Sequence, residues 1–147
     1  MRGNSRVRGV RNRVLLLKSL LAWLLILGFA VANGALREAV LIPSLGKSTG
    51  LVLSGILLSL VIAFVAHAFV RLGKGVTPPQ GMRVGVLWLF LTLIFELGFG
   101  RLAQHKSWSE LLDAYTFKDG NLWPVVLLVV LVAPYVAALL RAKSKPA

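Results

Sequence analysis

Residues 84–124 read VGVLWLFLTLIFELGFGRLAQHKSWSELLDAYTFKDGNLWP. An apolar run carries one glutamate, Glu96, near its end; a polar stretch with two turn signals follows; Leu122-Trp123-Pro124 then opens another apolar run. A soluble helix with this pattern would show a polar face throughout. Here the runs are apolar on every side, the mark of helices whose solvent is lipid.

The same character extends along the rest of the chain. Of 147 residues, 57% are hydrophobic and 15% charged, and mean hydropathy is +0.80. A soluble domain of this size could not hide that much apolar surface. Four apolar stretches, at about 14–35, 50–70, 84–100 and 122–140, each approach the roughly 20 residues that a bilayer core demands of a helix. The expected fold is therefore all-α, an integral membrane four-helix bundle at about 14–140 between basic tails at 1–13 and 141–147. Cysteine is absent, which excludes disulfides, thiolate metal sites and cysteine nucleophiles.

A net charge of +12 would suggest nucleic acid in a soluble protein, so its distribution matters. Twelve basic residues flank the first and last spans and the second loop; Arg37, Lys47, Arg101, Lys106 and Lys118 occupy the other two loops. The positive-inside rule then puts both termini in the cytoplasm. The tails are expected to attract anionic lipids, with no nucleic acid as partner. A basic start, an apolar core and Ala30-Val31-Ala32 also fit a cleaved signal peptide, which would leave three spans. The apolar length beyond Leu15 favours a retained span.

Within the spans, Gly55, Ser59 and Ala63 form a small-residue ridge for helix packing that ends at His67. The first helix is expected to continue to about Leu41, ahead of Pro43. The loop around Thr77-Pro78-Pro79 reads as an extended turn, and Pro134 predicts a kink in the fourth span. If the third helix enters at Val84, Glu96 lies about 18 Å along its axis. Arg37, four residues from Asn33 on the first helix, is its expected partner. Ser107 and Glu110 have capping-box spacing. They predict an interfacial amphipathic helix over about 107–117, with Trp108, Leu111, Leu112 and Tyr115 on its apolar face.

The patterns FE-x-GFG, SW-x-x-LL-x-x-Y and G-x-LWP, together with Asn33, Arg37 and Glu38, resemble a family of small uncharacterised bacterial inner-membrane proteins with four predicted spans. The likeness is clearest over 95–134 and excludes the basic N-terminal tail. It implies a compartment and a fold but no mechanism, since that family has no assigned activity.

Function must sit where polar residues gather: Asn33, Arg37, Glu38, Glu96, Arg101, His105, Glu110, Asp113 and Tyr115 all fall toward the periplasmic side. Three readings compete: an accessory or interaction subunit of a membrane complex or homo-oligomer; a proton- or cation-coupled transporter using Glu96; and a lipid head-group binder using Arg37 and Arg101. No cofactor or metal is indicated, because His67 and His105 fall on opposite faces and a lone histidine with mobile carboxylates is a poor zinc set. Ser54-Gly55 lacks the nucleophile-elbow spacing, and no carboxylate pair is fixed for acid/base work, so catalysis is not indicated.

Overall fold

A computed structural model describes residues 3–73 and 75–144, with side chains from residue 9 onward. Arg2, Lys74 and Lys145, and the side chains of Arg6 and Arg8, lie outside the described residues. Helix α1 runs from Gly3 to Leu36, continues through a π-helical turn at Arg37–Leu41, and ends as α2, Ile42–Leu45. The reason it passes Pro43 is local. Proline cannot donate to the carbonyl four residues back, and the wider turn, in which Ile42 N–H reaches Arg37 O, delivers Pro43 into the first turn of α2, where a missing donor does no harm. Gly46, at φ 83°, then turns the chain sharply into α3, Lys47–Leu72.

Helix α4 spans Pro78–Leu102, so the Pro-Pro loop is in part a helix start. Thr77 is the N-cap, its backbone N–H donating to Gln80 Oε1 at 3.0 Å, and Pro78 occupies the position that needs no donor. With that earlier start, Glu96 lies about 27 Å along the axis, deeper into the helix than an entry at Val84 implies. A short helix α5, Trp108–Asp113, a 3-10 turn at Lys118–Gly120, and α6, Trp123–Lys143, complete the chain. Helix α6 runs through Pro134 without a break, and no strand occurs among the described residues. Four helices are long and apolar enough to cross a membrane: Gly9–Leu45, Lys47–Leu72, Pro78–Leu102 and Trp123–Lys143. One end of the bundle carries the start of α1 and the end of α6; the other, the lid end, carries α2, α5 and the 3-10 turn.

Helix α6 packs against both α3 and α4, while α1 lies on α3 and reaches α4 more sparingly. Lipid supplies no hydrophobic drive between apolar helices, so close approach and polar contacts decide the packing. The closest approach joins α4 to α6: a Cβ on Gly85 would lie 1.8 Å from Leu131 O, and one on Gly81 2.5 Å from Pro134 O. The seam of α3 runs through Ser54, Leu58, Ile62, Ala66 and Val70, all buried. It is offset by one residue from the ridge read in the sequence. Gly55 does meet a neighbour closely, Leu122, but Ser59 is half-buried and Ala63 and His67 are exposed, because larger residues one position earlier fill the interface.

Two tryptophans tie α1 to α4 in register. Trp88, fully buried and edge-on to Phe69 at 5.7 Å, donates its indole N–H to Ser19 O at 2.9 Å; one turn on, Trp23 donates to Thr92 Oγ1 at 3.1 Å. Each partner advances four residues, as parallel helices require.

Candidate functional site at the lid end

A cavity of about 320 Å³ opens at the lid end, walled by α1, α3 and α4, roofed by α5 and floored by Trp123 and Val126 of α6. Each wall contributes polar groups. Helix α1 supplies Asn33 and Arg37 one turn apart, α3 supplies Ser54, α4 supplies Glu96, and the segment after α4 supplies Gln104, Lys106 and Glu110.

Glu96 sits at the centre of the roof attachment. Its Oε2 accepts two hydrogen bonds of 2.7 Å, from the Tyr115 hydroxyl and the Trp123 indole N–H. The expected Arg37 pair does not form: Arg37 Nε donates instead to Glu38 Oε1, its sequence neighbour, at 3.0 Å. The physical reason is proximity of supply. The chain beyond α4 folds back as α5 and re-enters as α6, bringing two donor groups to Glu96 from its own end of the sequence, while an adjacent carboxylate engages Arg37. Glu96 Oε1 accepts no bond among the described residues. Burial, with the hydrogen bond to and negative charge of Glu96, holds the Tyr115 phenol above its usual value, so it remains a donor.

Asn33 is 8% exposed, and its Nδ2 donates to Ser54 Oγ at 2.7 Å and Ser54 O at 3.2 Å. Its Oδ1 has no partner, the one such buried side-chain atom among the described residues. A buried amide oxygen without a donor costs about 1–3 kcal/mol, so the site holds an unmet acceptor.

The roof has its own logic. Ser107 caps α5, its backbone N–H and hydroxyl donating to Glu110 Oε2 at 2.7 and 2.9 Å, and these bonds hold the Glu110 carboxyl below its usual value. Leu111 is buried against Gly100, which has no side chain to obstruct it. The helix is shorter than the sequence reading, six residues followed by turns, and its apolar residues divide: Leu111 and Tyr115 turn inward, Trp108 and Leu112 outward. One ion pair ties the segment to α3, Lys47 to Asp119 at 2.6 Å, and a second closes the segment on itself, Lys118 to Asp113 at 3.1 Å.

Of the nine polar residues singled out in the sequence, Asn33, Arg37, Glu96 and Glu110 line the cavity, and Tyr115 joins it through Glu96. The others stand outside. Glu38 is exposed beside Arg37, Asp113 holds Lys118, and His105 is exposed in a left-handed conformation at φ 51°. Arg101 donates to Lys106 O at 3.1 Å and lies over the Trp108 ring at 5.9 Å, so a clamp made with Arg37 does not assemble. Sequence reasoning missed Ser54, Lys106 and Trp123. Trp123 carried a usable signal: a tryptophan at a span's mouth always brings an N–H, and the nearest acid inside a span is Glu96. No group of three or more metal-ligating side chains occurs among the described residues.

A second cavity, about 680 Å³, lies between α1 and α3 toward the terminal end. Its lining is apolar apart from Lys18, and it faces outward from the bundle. No family model, curated protein or solved structure matches the chain.

Proposed function

We propose that this multi-pass membrane protein binds the polar head group of a membrane amphiphile in its lid-end cavity, with the lid end outside the cytoplasm. The observation that carries the reading is the mixed character of one cavity. Its lining includes Asn33, Ser54, Glu96 and Arg37, with the exposed Lys106 at its rim, while Val31 of α1 and Phe99 of α4, both exposed to the surroundings of the bundle, form part of its wall. A head group held inside would leave its chains passing between α1 and α4, which touch more sparingly than the other long-helix pairs packed together, α1 with α3, α3 with α6 and α4 with α6. The volume of about 320 Å³ falls at the lower end of the roughly 300–1,000 Å³ typical of ligand sites, suited to a head group rather than a whole lipid.

A second reading, an accessory subunit of a membrane complex, draws on α1. Gly28 and Ala32 are exposed at a spacing that lets another helix approach, and nothing in the bundle lies within 4 Å of a Cβ built on Gly28. Purification from native membranes in mild detergent, followed by mass spectrometry of lipids and proteins, separates the two. The head-group reading expects a phospholipid near equimolar amount, reduced at least fivefold when Arg37 and Lys106 are both alanine. A stoichiometric protein with no retained lipid would overturn it in favour of the accessory role.

A further inference from the structure

The chemistry of the head group can be read from what the cavity leaves unsatisfied. Four charged residues line it, Arg37 and Lys106 against Glu96 and Glu110, and their formal charges cancel. They differ in availability. Glu110 is committed to capping α5 and Arg37 in part to Glu38, but Glu96 keeps Oε1 without a donor, and the Lys106 ammonium makes no ion pair among the described residues. To these is added the Asn33 Oδ1, buried on α1 with no partner. The walls of the cavity therefore carry two acceptors without donors, Glu96 Oε1 on α4 and the buried Asn33 Oδ1 on α1, with a free cation at the rim.

A purely anionic ligand would satisfy Lys106 but leave both acceptors unmet and set its charge against Glu96. A simple cation would reverse the fault. Both are met by a ligand carrying N–H donors on a positive group and a phosphate a few bonds away. We infer that the head group is an amine-bearing zwitterionic phosphate of the phosphoethanolamine kind, its ammonium donating to Glu96 Oε1 and Asn33 Oδ1 and its phosphate meeting Lys106 and Arg37. The inference rests on the head-group reading of the cavity. A quaternary choline head has the same charges but no N–H, so it cannot fill the two acceptors, and this separates hydrogen bonding from charge alone.

The test uses the full chain with the lipids of its host removed, presented with phosphatidylethanolamine, phosphatidylcholine and phosphatidylglycerol of matched acyl chains, retention being read by native mass spectrometry. Free phosphoethanolamine serves as competitor. Phosphatidylethanolamine should be retained at least tenfold better than either of the others, the loss expected when donors to a charged acceptor are removed. In Glu96→Gln, which removes the negative charge facing the ammonium, phosphatidylethanolamine retention should fall and its preference over phosphatidylcholine should shrink. Because the ligand series is measured on the unaltered protein, a variant that fails to fold does not rescue the idea. Equal retention of choline and ethanolamine lipids overturns the amine assignment and leaves the head-group reading standing. Retention of none of the three, with free phosphoethanolamine also silent, overturns both. Free phosphoethanolamine binding as tightly as the lipid keeps the amine assignment and removes the membrane amphiphile.

Discussion

Glycines decide the tightest contact in this bundle, and they do so by what they lack. At Gly85 an added Cβ would lie 1.8 Å from a backbone oxygen of α6, which cannot rotate away, so α4 and α6 must separate to admit it. Gly85→Ala should therefore lower stability by about 1–3 kcal/mol or more, the range for overpacking a close interface. Gly98, on the same helix with nothing within 4 Å of its Cβ position, is the internal control. Gly98→Ala should be neutral or stabilising by up to about 1 kcal/mol, since alanine is the better helix former. Thermal unfolding of both variants in one detergent checks the pair, and a Gly85→Ala protein as stable as its parent would show that this helix contact is not tight. Glu96 illustrates the opposite dependence, on what a residue attracts. Its unusual position inside an apolar run is plain in the sequence, but its partners are not. Tyr115 and Trp123 reach it only because the chain between them folds over the cavity, and no periodicity encodes that return.

At the scale of elements, α5 and its flanking turns form the part of the molecule most dependent on polar contacts. Its capping box was legible in the sequence because Ser107 and Glu110 act through the backbone at fixed spacing. Its length was not, since beyond Asp113 the backbone tightens into three-residue turns, Tyr115 N–H donating to Leu112 O and Thr116 N–H to Asp113 O. Helix starts behave alike: Pro78 was legible as a break, while its role in opening α4 depends on Thr77 and Gln80 closing around it. The segment's hold should depend on pH. Hydrogen bonds from Ser107 lower Glu110 from its ordinary 4.5, and Lys47 lowers Asp119 from 3.8. A depressed carboxyl contributes stability that is full above its ordinary value and is lost as pH falls through the lower folded value. Lys118, raised above 10.5 by Asp113, contributes below that value and is lost as pH rises past it. A nitroxide on Ser109→Cys should thus be immobile near neutrality and gain a mobile component below about pH 4. Mobility unchanged down to pH 3 would mean that the capping box and ion pairs do not hold the segment. Ser107→Ala should raise the mobile fraction already at neutral pH, the loss of a cap being worth about 1 kcal/mol.

Across the whole molecule, charge divides between the two ends along the line the sequence already drew. All five acidic residues gather at the lid end, where they meet five basic ones, so that end is formally neutral, and the other basic residues that are described belong to the rest of the bundle. Three of the five cations there are paired, Lys47 with Asp119, Lys118 with Asp113 and Arg37 with its neighbour Glu38, which leaves little of that charge as a topological signal. Retention of cationic loops in the cytoplasm should then orient the chain with both termini inside and the cavity outside. The absence of cysteine allows a direct check without altering the background. Thr116→Cys, exposed beside α5, should react with a membrane-impermeant maleimide on intact cells, whereas Ser144→Cys, exposed at the end of α6, should react only after the membrane is opened. The reverse pattern would put the cavity in the cytoplasm and confine its ligands to the inner leaflet. Labelling of both on intact cells would mean that residues 116 and 144 share one side, which no helix crossing once between them permits, and the membrane-spanning assignment of α6 would fall with it.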